Sequence, residues 1–515
     1  MNRNILCLML AALCTPSIAL GDGDAKPDMA AQDQQSATQG SVTVGGKAIS
    51  YTADAGILIL KNDKGEPTAS MSYVAYIANG RDPASRPIMF IYNGGPGSST
   101  MWLHMTSFGP RRTLVGDHEH TPPGSYQLVN NEYSVLDATD LVFVDAAGTG
   151  FGRVLDKDAG GKGETKDFYG VDQDGRAFTQ FIERFLSKYG RWNSPKYLFG
   201  ESYGTPRSAV VANDLVNDSV DLNGVILLSA ILNFDLNADI PNFNPGIDLP
   251  YALILPTFAA AAWYHHKLPT PAGELEPFLH EVEGFAMNEY LPALEAGSTL
   301  SPAARKQMAE KLHSYTGLPV DYLLKADLRV TGPEFEQEEL LDSGETTGRF
   351  DARYTGPVFD PLAETALYDP QAASVAPPIV SVLNDYIRRD LKFGQDMTYL
   401  PLNLAVTSNW DFKHQPPGSP APLPSMNVMP DLAAAMVQNP DLKVLLNAGY
   451  YDLATPYYEA VYNMQHLPMP DVLQRNIQYA FYPSGHMVYV DVPSLKLLHD
   501  NVAKFIASTH GSGGQ

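Results

Sequence analysis

Short apolar runs at 88–92, 141–144, 197–199, 225–228, 444–446 and 479–482 constrain the fold more than any other feature of this chain. Each has the length of a buried strand, and several are followed by glycine turns and helical periodicity. One helix reads directly, because Phe178, Ile182, Phe185 or Leu186, and Tyr189 recur at three- or four-residue spacing before Gly190 stops it. It leads into the run at 197–199. Strands alternating with helices predict a largely parallel sheet covered on both faces, hence an α/β fold.

The rest of the chain is organised around that sheet. At about 150 residues per domain, 515 residues make three domains or one large domain with an insertion. The segments 41–44, 47–51, 56–60 and 71–78, with a Gly45-Gly46 turn, read as antiparallel strands opening the sheet. The rhythm breaks at 236–400, where helical material dominates. There Ser301-Pro302 starts a helix, Ala304, Met308 and Leu312 form its stripe, and Gly317 closes it. We expect a core formed by 41–235 and 401–515, with 236–400 as an inserted helical cap. The stretch 249–264 is the most apolar internal run, but with Pro250 and Pro256 in 16 residues it predicts a buried helix, not a membrane span. A Pro-, Gly- and Ser-rich loop is expected at 415–424.

Arg3, the apolar run 5–13 and the small residues Ser17 and Ala19 predict a cleaved signal peptide over 1–19, followed by a flexible polar leader over 20–40. Cys7 and Cys14 are the only cysteines and both fall in the signal. The mature chain then has neither disulfides nor cysteine metal sites. Export to a bacterial periplasm, or full secretion, is the expected location. With 35 basic against 58 acidic residues and a net charge of -23, nucleic acid and anionic membranes are poor partners.

The chemistry begins at Gly200-Glu201-Ser202-Tyr203-Gly204, directly after the run at 197–199. Glycines flanking a serine on a sharp strand-to-helix turn allow a strained backbone and leave the hydroxyl clear of the sheet. The alternative is an ordinary turn. A serine hydroxyl needs a base, usually a histidine oriented by a carboxylate. Of 12 histidines, His486 sits at the tip of a predicted strand, and Asp452 follows the run 444–446 at the same sheet edge. Asp452 also reads as a helix cap, and His486 as a satisfied loop histidine. Asn93-Gly94-Gly95-Pro96-Gly97 follows another strand and is too glycine-dense to serve stability. The amides of Gly95 and Tyr203 are candidate oxyanion donors. A tight turn or phosphate cradle is the alternative, although no Gly-Lys-Ser/Thr follows.

Taken together, these segments resemble the serine carboxypeptidases of the S10 family, whose NGGPG, GESY, GxxD and GHMV motifs look like 93–97, 200–203, 449–452 and 485–488. Asp491 and Pro493 also match. The resemblance spans about 85–495 and implies an α/β-hydrolase fold. It also implies a Ser202, Asp452 and His486 triad, and Gly95 and Tyr203 as the oxyanion hole. Asn93, the Gly94 amide and Glu201 would receive the free C-terminal carboxylate of a peptide substrate. A protonated Glu201 can donate to that carboxylate where an ionised one would repel it. Four departures stand out. Ile91 replaces the usual tryptophan, Ser98 a disulfide cysteine and Tyr489 a proline, while Ser107 falls where many members have a second glutamate that pairs with the first.

No cofactor is implied. His118-Glu119-His120 and His265-His266 lack a ligand set at helical spacing, so no metal is expected. The segment 145–151 resembles a family segment beside the site and reads as a wall or turn. The expected activity is removal of C-terminal residues from peptides through an acyl-enzyme on Ser202. The alternatives are an esterase or acyltransferase on the same scaffold, or a secreted binding protein with an inactive hydrolase fold.

Overall fold

The computed structural model describes residues 32–116 and 118–509, so the expected signal over 1–19 lies outside the described residues. The central sheet begins with β1 (Gln34–Val44), β2 (Lys47–Lys61) and β3 (Pro67–Ala78), an antiparallel meander. It continues with β4 (Ile88–Tyr92), β5 (Asp140–Val144), β6 (Lys196–Glu201), β7 (Gly224–Leu228), β8 (Lys443–Gly449) and β9 (Ile477–Tyr482). The spatial order is β1-β2-β3-β5-β4-β6-β7-β8-β9, with β5 antiparallel to β3 and every later neighbour parallel. The leader expected over 20–40 is corrected here. Its part from Gln34 onward is strand, because the polar residues alternate across an edge and find a ladder partner in β2.

Helices cover both faces. One face carries α1 (Val171–Tyr189) and α2 (Gly204–Asn217), whose Phe178, Phe185 and Val211 pack with Phe90, Leu198 and Leu227 of the sheet. Phe199, Ile226 and Leu445 point to the other face, against the helices at 370–389 and 492–509. The opposite orientation of neighbours such as Leu198 and Phe199 follows from the two-residue period of a strand. A sheet that opens antiparallel, runs on parallel and is buried between helices agrees with the α/β-hydrolase fold expected from the sequence.

Between β7 and β8 the chain makes a helical excursion with its own apolar cluster. Its centre is α3 (Leu249–Tyr264), in which Leu253, Ile254 and Phe258 are buried and Pro256 is accommodated inside the helix. In α4 (Pro302–Thr316), Ser301 caps the Ala304 amide at 3.2 Å and Gly317 closes the helix at φ 71°. The cluster also takes in Tyr450, Tyr451 and Leu453 after β8, which seats these helices over the carboxyl edge of the sheet. The composition-based boundary at 400 is not the packing boundary. Helix α5 (Pro370–Arg389) buries Val375, Ile379 and Leu383 against the sheet face that α7 (Val492–Thr509) also covers. The segment 415–424 is a loop leading to α6 (Met429–Gln438).

One buried ion pair ties this scaffold to the strand-edge loops. Arg207 of α2 meets Asp174 of α1 at 2.6 Å, donates to the Asn93 carbonyl at 2.6 Å, and lies 4.3 Å from the Phe178 ring centroid. Removing one partner of a buried pair leaves an uncompensated charge. Arg207→Ala should therefore cost about 3–5 kcal/mol in urea unfolding. A loss below about 1 kcal/mol would show that the pair carries none of this burden.

Candidate active site

The strand register assembles the site. Tyr92 lies opposite Gly200 and Leu228 opposite both Glu201 and Asn447, so the loops after β4, β6, β7 and β8 emerge at one sheet edge. Gly449 pairs with Tyr482, which brings the loop after β9 to the same edge. This is where an open parallel sheet places ligand-binding loops.

At the end of β6 the backbone turns sharply into α2. Ser202 has φ 58°, a conformation that costs a non-glycine residue free energy and persists only when neighbours impose it. The Ser202 amide donates to Leu228 O at 3.0 Å, and its carbonyl accepts from the Thr205 amide at 2.8 Å. The loop 93–97 presses against this turn. A β-carbon at Gly94 would lie 2.3 Å from the Tyr203 amide nitrogen, so only glycine permits the approach. Ser202, Tyr203 and Gly95 jointly line a cavity of about 70 Å³, with Ile231, Phe234, Asn237 and Thr455 among its other walls. The Tyr203 ring is held edge-on to Trp410, centroids 5.1 Å apart.

Asp452 and His486 are brought together from the loops after β8 and β9. His486 Nδ1 and Asp452 Oδ2 are 2.8 Å apart. Asp452 is fully buried and accepts from the amides of Ala454 and Thr455 and from the Thr455 hydroxyl, the last at 2.7 Å. Burial works to lower the His486 pKa, but the charge and hydrogen bond of Asp452, with Glu201 behind them, hold it above its ordinary value. The ring is stacked obliquely on Phe350, centroids 5.1 Å apart.

Glu201 is a buried acid beside the serine, and burial pushes its pKa up to about 7 against the opposing pull of His486 and Tyr489. The Asn93 amide donates to Glu201 Oε2, and Asn93 Oδ1 accepts from the Leu103 amide at 3.1 Å, which fixes which way the side chain faces. Tyr489 donates its hydroxyl to Glu201, 2.9 Å from each oxygen. Ser107 takes no part, because its hydroxyl turns back to Leu103 O at 2.5 Å.

All eight residues singled out from the sequence thus stand at one edge. Several supporting residues do not show in the sequence. Thr455 braces Asp452, and the segment 349–353 straps the two loops: the Arg349 carbonyl accepts from the Leu453 amide at 3.1 Å, Asp351 accepts from the Gly485 amide at 3.0 Å, and Arg353 binds both Asp351 and Pro483 O. Alternation of Arg349, Asp351 and Arg353 is the only local signal, and it does not say what the charges meet. Asp145 is buried and accepts from the Ser72 hydroxyl and from the Thr100 amide at 2.8 Å each. Among the described residues no group of three or more His, Cys, Asp or Glu forms a metal site.

A family model for serine carboxypeptidases matches residues 53–239, a span that carries 93–97 and 200–204. The serine carboxypeptidase-like protein 16 of Arabidopsis thaliana is 24% identical over 182 residues, 34% of this chain and 40% of that protein. Serine carboxypeptidase S10 family member 1 of Dictyostelium discoideum is 30% identical over 139 residues, 26% of this chain and 29% of that protein. The chain therefore matches less than half the length of these relatives. The crystal structure of KEX1(delta)P, a prohormone-processing carboxypeptidase from Saccharomyces cerevisiae, superimposes with a TM-score of 0.52 at 16% identity, covering 89% of this chain and 91% of that one. This likeness is one of fold and covers more of the chain than the family match. Residues 53–239 thus resemble the serine carboxypeptidases in sequence, and the chain resembles a carboxypeptidase of known structure in fold.

Proposed function

We propose that the protein is a serine carboxypeptidase that hydrolyses the C-terminal peptide bond of peptides. The observation that carries this reading is Glu201, a buried acid with a pKa near neutrality set beside a strained serine and bonded to Asn93. A general hydrolase has no need of such an acid. A carboxypeptidase needs a donor for the substrate carboxylate, and a protonated carboxyl supplies one.

In the proposed reaction His486 takes the Ser202 proton as the hydroxyl attacks the carbonyl. Asp452 holds the imidazole and stabilises its charge. The Gly95 and Tyr203 amides receive the oxyanion. His486 protonates the departing amino acid, and water then hydrolyses the acyl-enzyme. Asn93, the Gly94 amide and protonated Glu201 bind the terminal carboxylate. The acyl part enters the cavity that Ser202 shares with Ile231 and Phe234. A neighbouring cavity of about 340 Å³ shares Phe234, Asn237 and Phe412 with it and gives a longer peptide room to continue. The protein is proposed to be exported, on the reading of 1–19 as a signal. Among the described residues no helix is long and apolar enough to cross a membrane.

Ser202→Ala and His486→Ala should each lower kcat by about 10^4-fold or more with the fold retained, and Asp452→Asn somewhat less, because the three act as a unit. Near-normal turnover by Ser202→Ala would overturn the assignment, and failure of a fluorophosphonate probe to label Ser202 would favour an inactive binding protein.

Substrate class is tested with a blocked dipeptide and its C-terminal amide. Losing a hydrogen bond to a charged group costs about 1.5–3 kcal/mol, so the free acid should be preferred about 10- to 150-fold in kcat/KM. The preference should fall as pH rises through about 7, where Glu201 loses its proton. Equal rates on acid and amide would retire the carboxypeptidase reading in favour of an esterase or acyltransferase.

A further inference from the structure

The acid that binds the substrate carboxylate must be held in place, and in this chain the residue expected to hold it is missing. Ser107 stands where a second glutamate is usual, and its hydroxyl is committed to the helix carbonyl of Leu103. Glu201 is nevertheless fully partnered. Tyr489 reaches it from the opposite side, out of the short turn Val488–Val490 that follows His486. Its hydroxyl lies 2.9 Å from both Glu201 oxygens, and the side chain is 1% exposed.

We propose that Tyr489 is the positioning residue for Glu201, replacing a second acid, and that it makes recognition of the substrate carboxylate depend on one proton held by Glu201 alone. The proposal rests on the carboxypeptidase reading above.

The chemistry distinguishes a tyrosine from a second carboxyl. Two carboxyls in contact share a proton and titrate as a pair in two steps. Tyrosine donates to an ionised carboxylate and equally to the carbonyl oxygen of a protonated one, so it stays bonded to Glu201 in both states and leaves the acid's proton free for the substrate. It brings no titration of its own near neutrality, because burial and the Glu201 charge drive its pKa well above 10. The other groups facing Glu201 are Asn93, which does not titrate, His486, whose charge favours the ionised form, and Asp452, whose charge opposes it. A donor to the ionised form lowers a carboxyl pKa. Tyr489 therefore trims the upward push of burial and sets the pH at which the carboxylate is released.

The test compares kcat/KM against pH for the wild type, Tyr489→Phe and a protein with 3-fluorotyrosine installed at position 489 alone. Each is assayed on a blocked dipeptide with a free C-terminus and on its amide. The wild type should lose free-acid preference along a single-proton alkaline limb. In Tyr489→Phe that limb should move up by about one to two pH units, the worth of one hydrogen bond to a charged group, with the change in KM rather than kcat. The more acidic fluorinated hydroxyl donates more strongly and should move the limb down. The amide has no carboxylate for Glu201 to meet and should show neither displacement. Limbs that stay fixed in both variants, or that move alike for acid and amide, would overturn the role of Tyr489 while leaving the carboxypeptidase reading intact. Equal wild-type rates on acid and amide would instead remove both.

Discussion

Two stretches of main chain meet at this site more closely than side chains would allow, and everything else is arranged around that contact. The loop after β4 lies against the turn after β6 with no room for a β-carbon at Gly94, and the same turn holds Ser202 at φ 58°. Strain of this kind persists only where surroundings impose it. They do so through the Leu228 carbonyl, the Arg207 anchor on Asn93 and the aromatic clamp of Trp410 on Tyr203. The contact puts two backbone donors, Gly95 and Tyr203, on the wall of one small cavity with the serine. It also places Asn93 beside Glu201, so the turn that presents the hydroxyl also presents the acid.

Charge is distributed with the same economy. Asp452 is buried and satisfied by two amides and a hydroxyl, which keeps it ready to orient His486. Glu201, a few residues from the same histidine in space, is left with only an amide and a phenol, and burial raises it to about 7. Two carboxyls at one sheet edge thereby meet different surroundings, one satisfied by three donors and the other dominated by its burial. The strap 349–353 from the helical excursion bonds to the loops after β8 and β9 and lays Phe350 against the His486 ring, so this region helps to hold the histidine.

Much of this was legible before any coordinates. The runs at 88–92, 141–144 and 225–228 are apolar throughout because both faces of those strands are buried, and such segments announce themselves. The polar edge strand Gln34–Val44 did not, because a strand facing solvent has no apolar pattern and its stability comes from pairing with β2. The end of the cap was misplaced for a related reason. The stripe of Val375, Ile379 and Leu383 says that α5 is buried, but not whether a cap or the sheet buries it.

By itself the sequence determined the local chemistry: which serine can sit on a strained turn, which glycines permit close approach, and which histidine and aspartate lie at strand ends. These follow from backbone sterics and strand periodicity, which act over a few residues. Tertiary structure alone decided the partnerships made across long intervals of chain. Tyr489 and Glu201 are 288 residues apart, and Gly485 and Asp351 134. Neither a tyrosine in place of proline nor a serine in place of glutamate discloses what it touches. Only the folded chain shows that the first took over the acid's partner and the second withdrew from it.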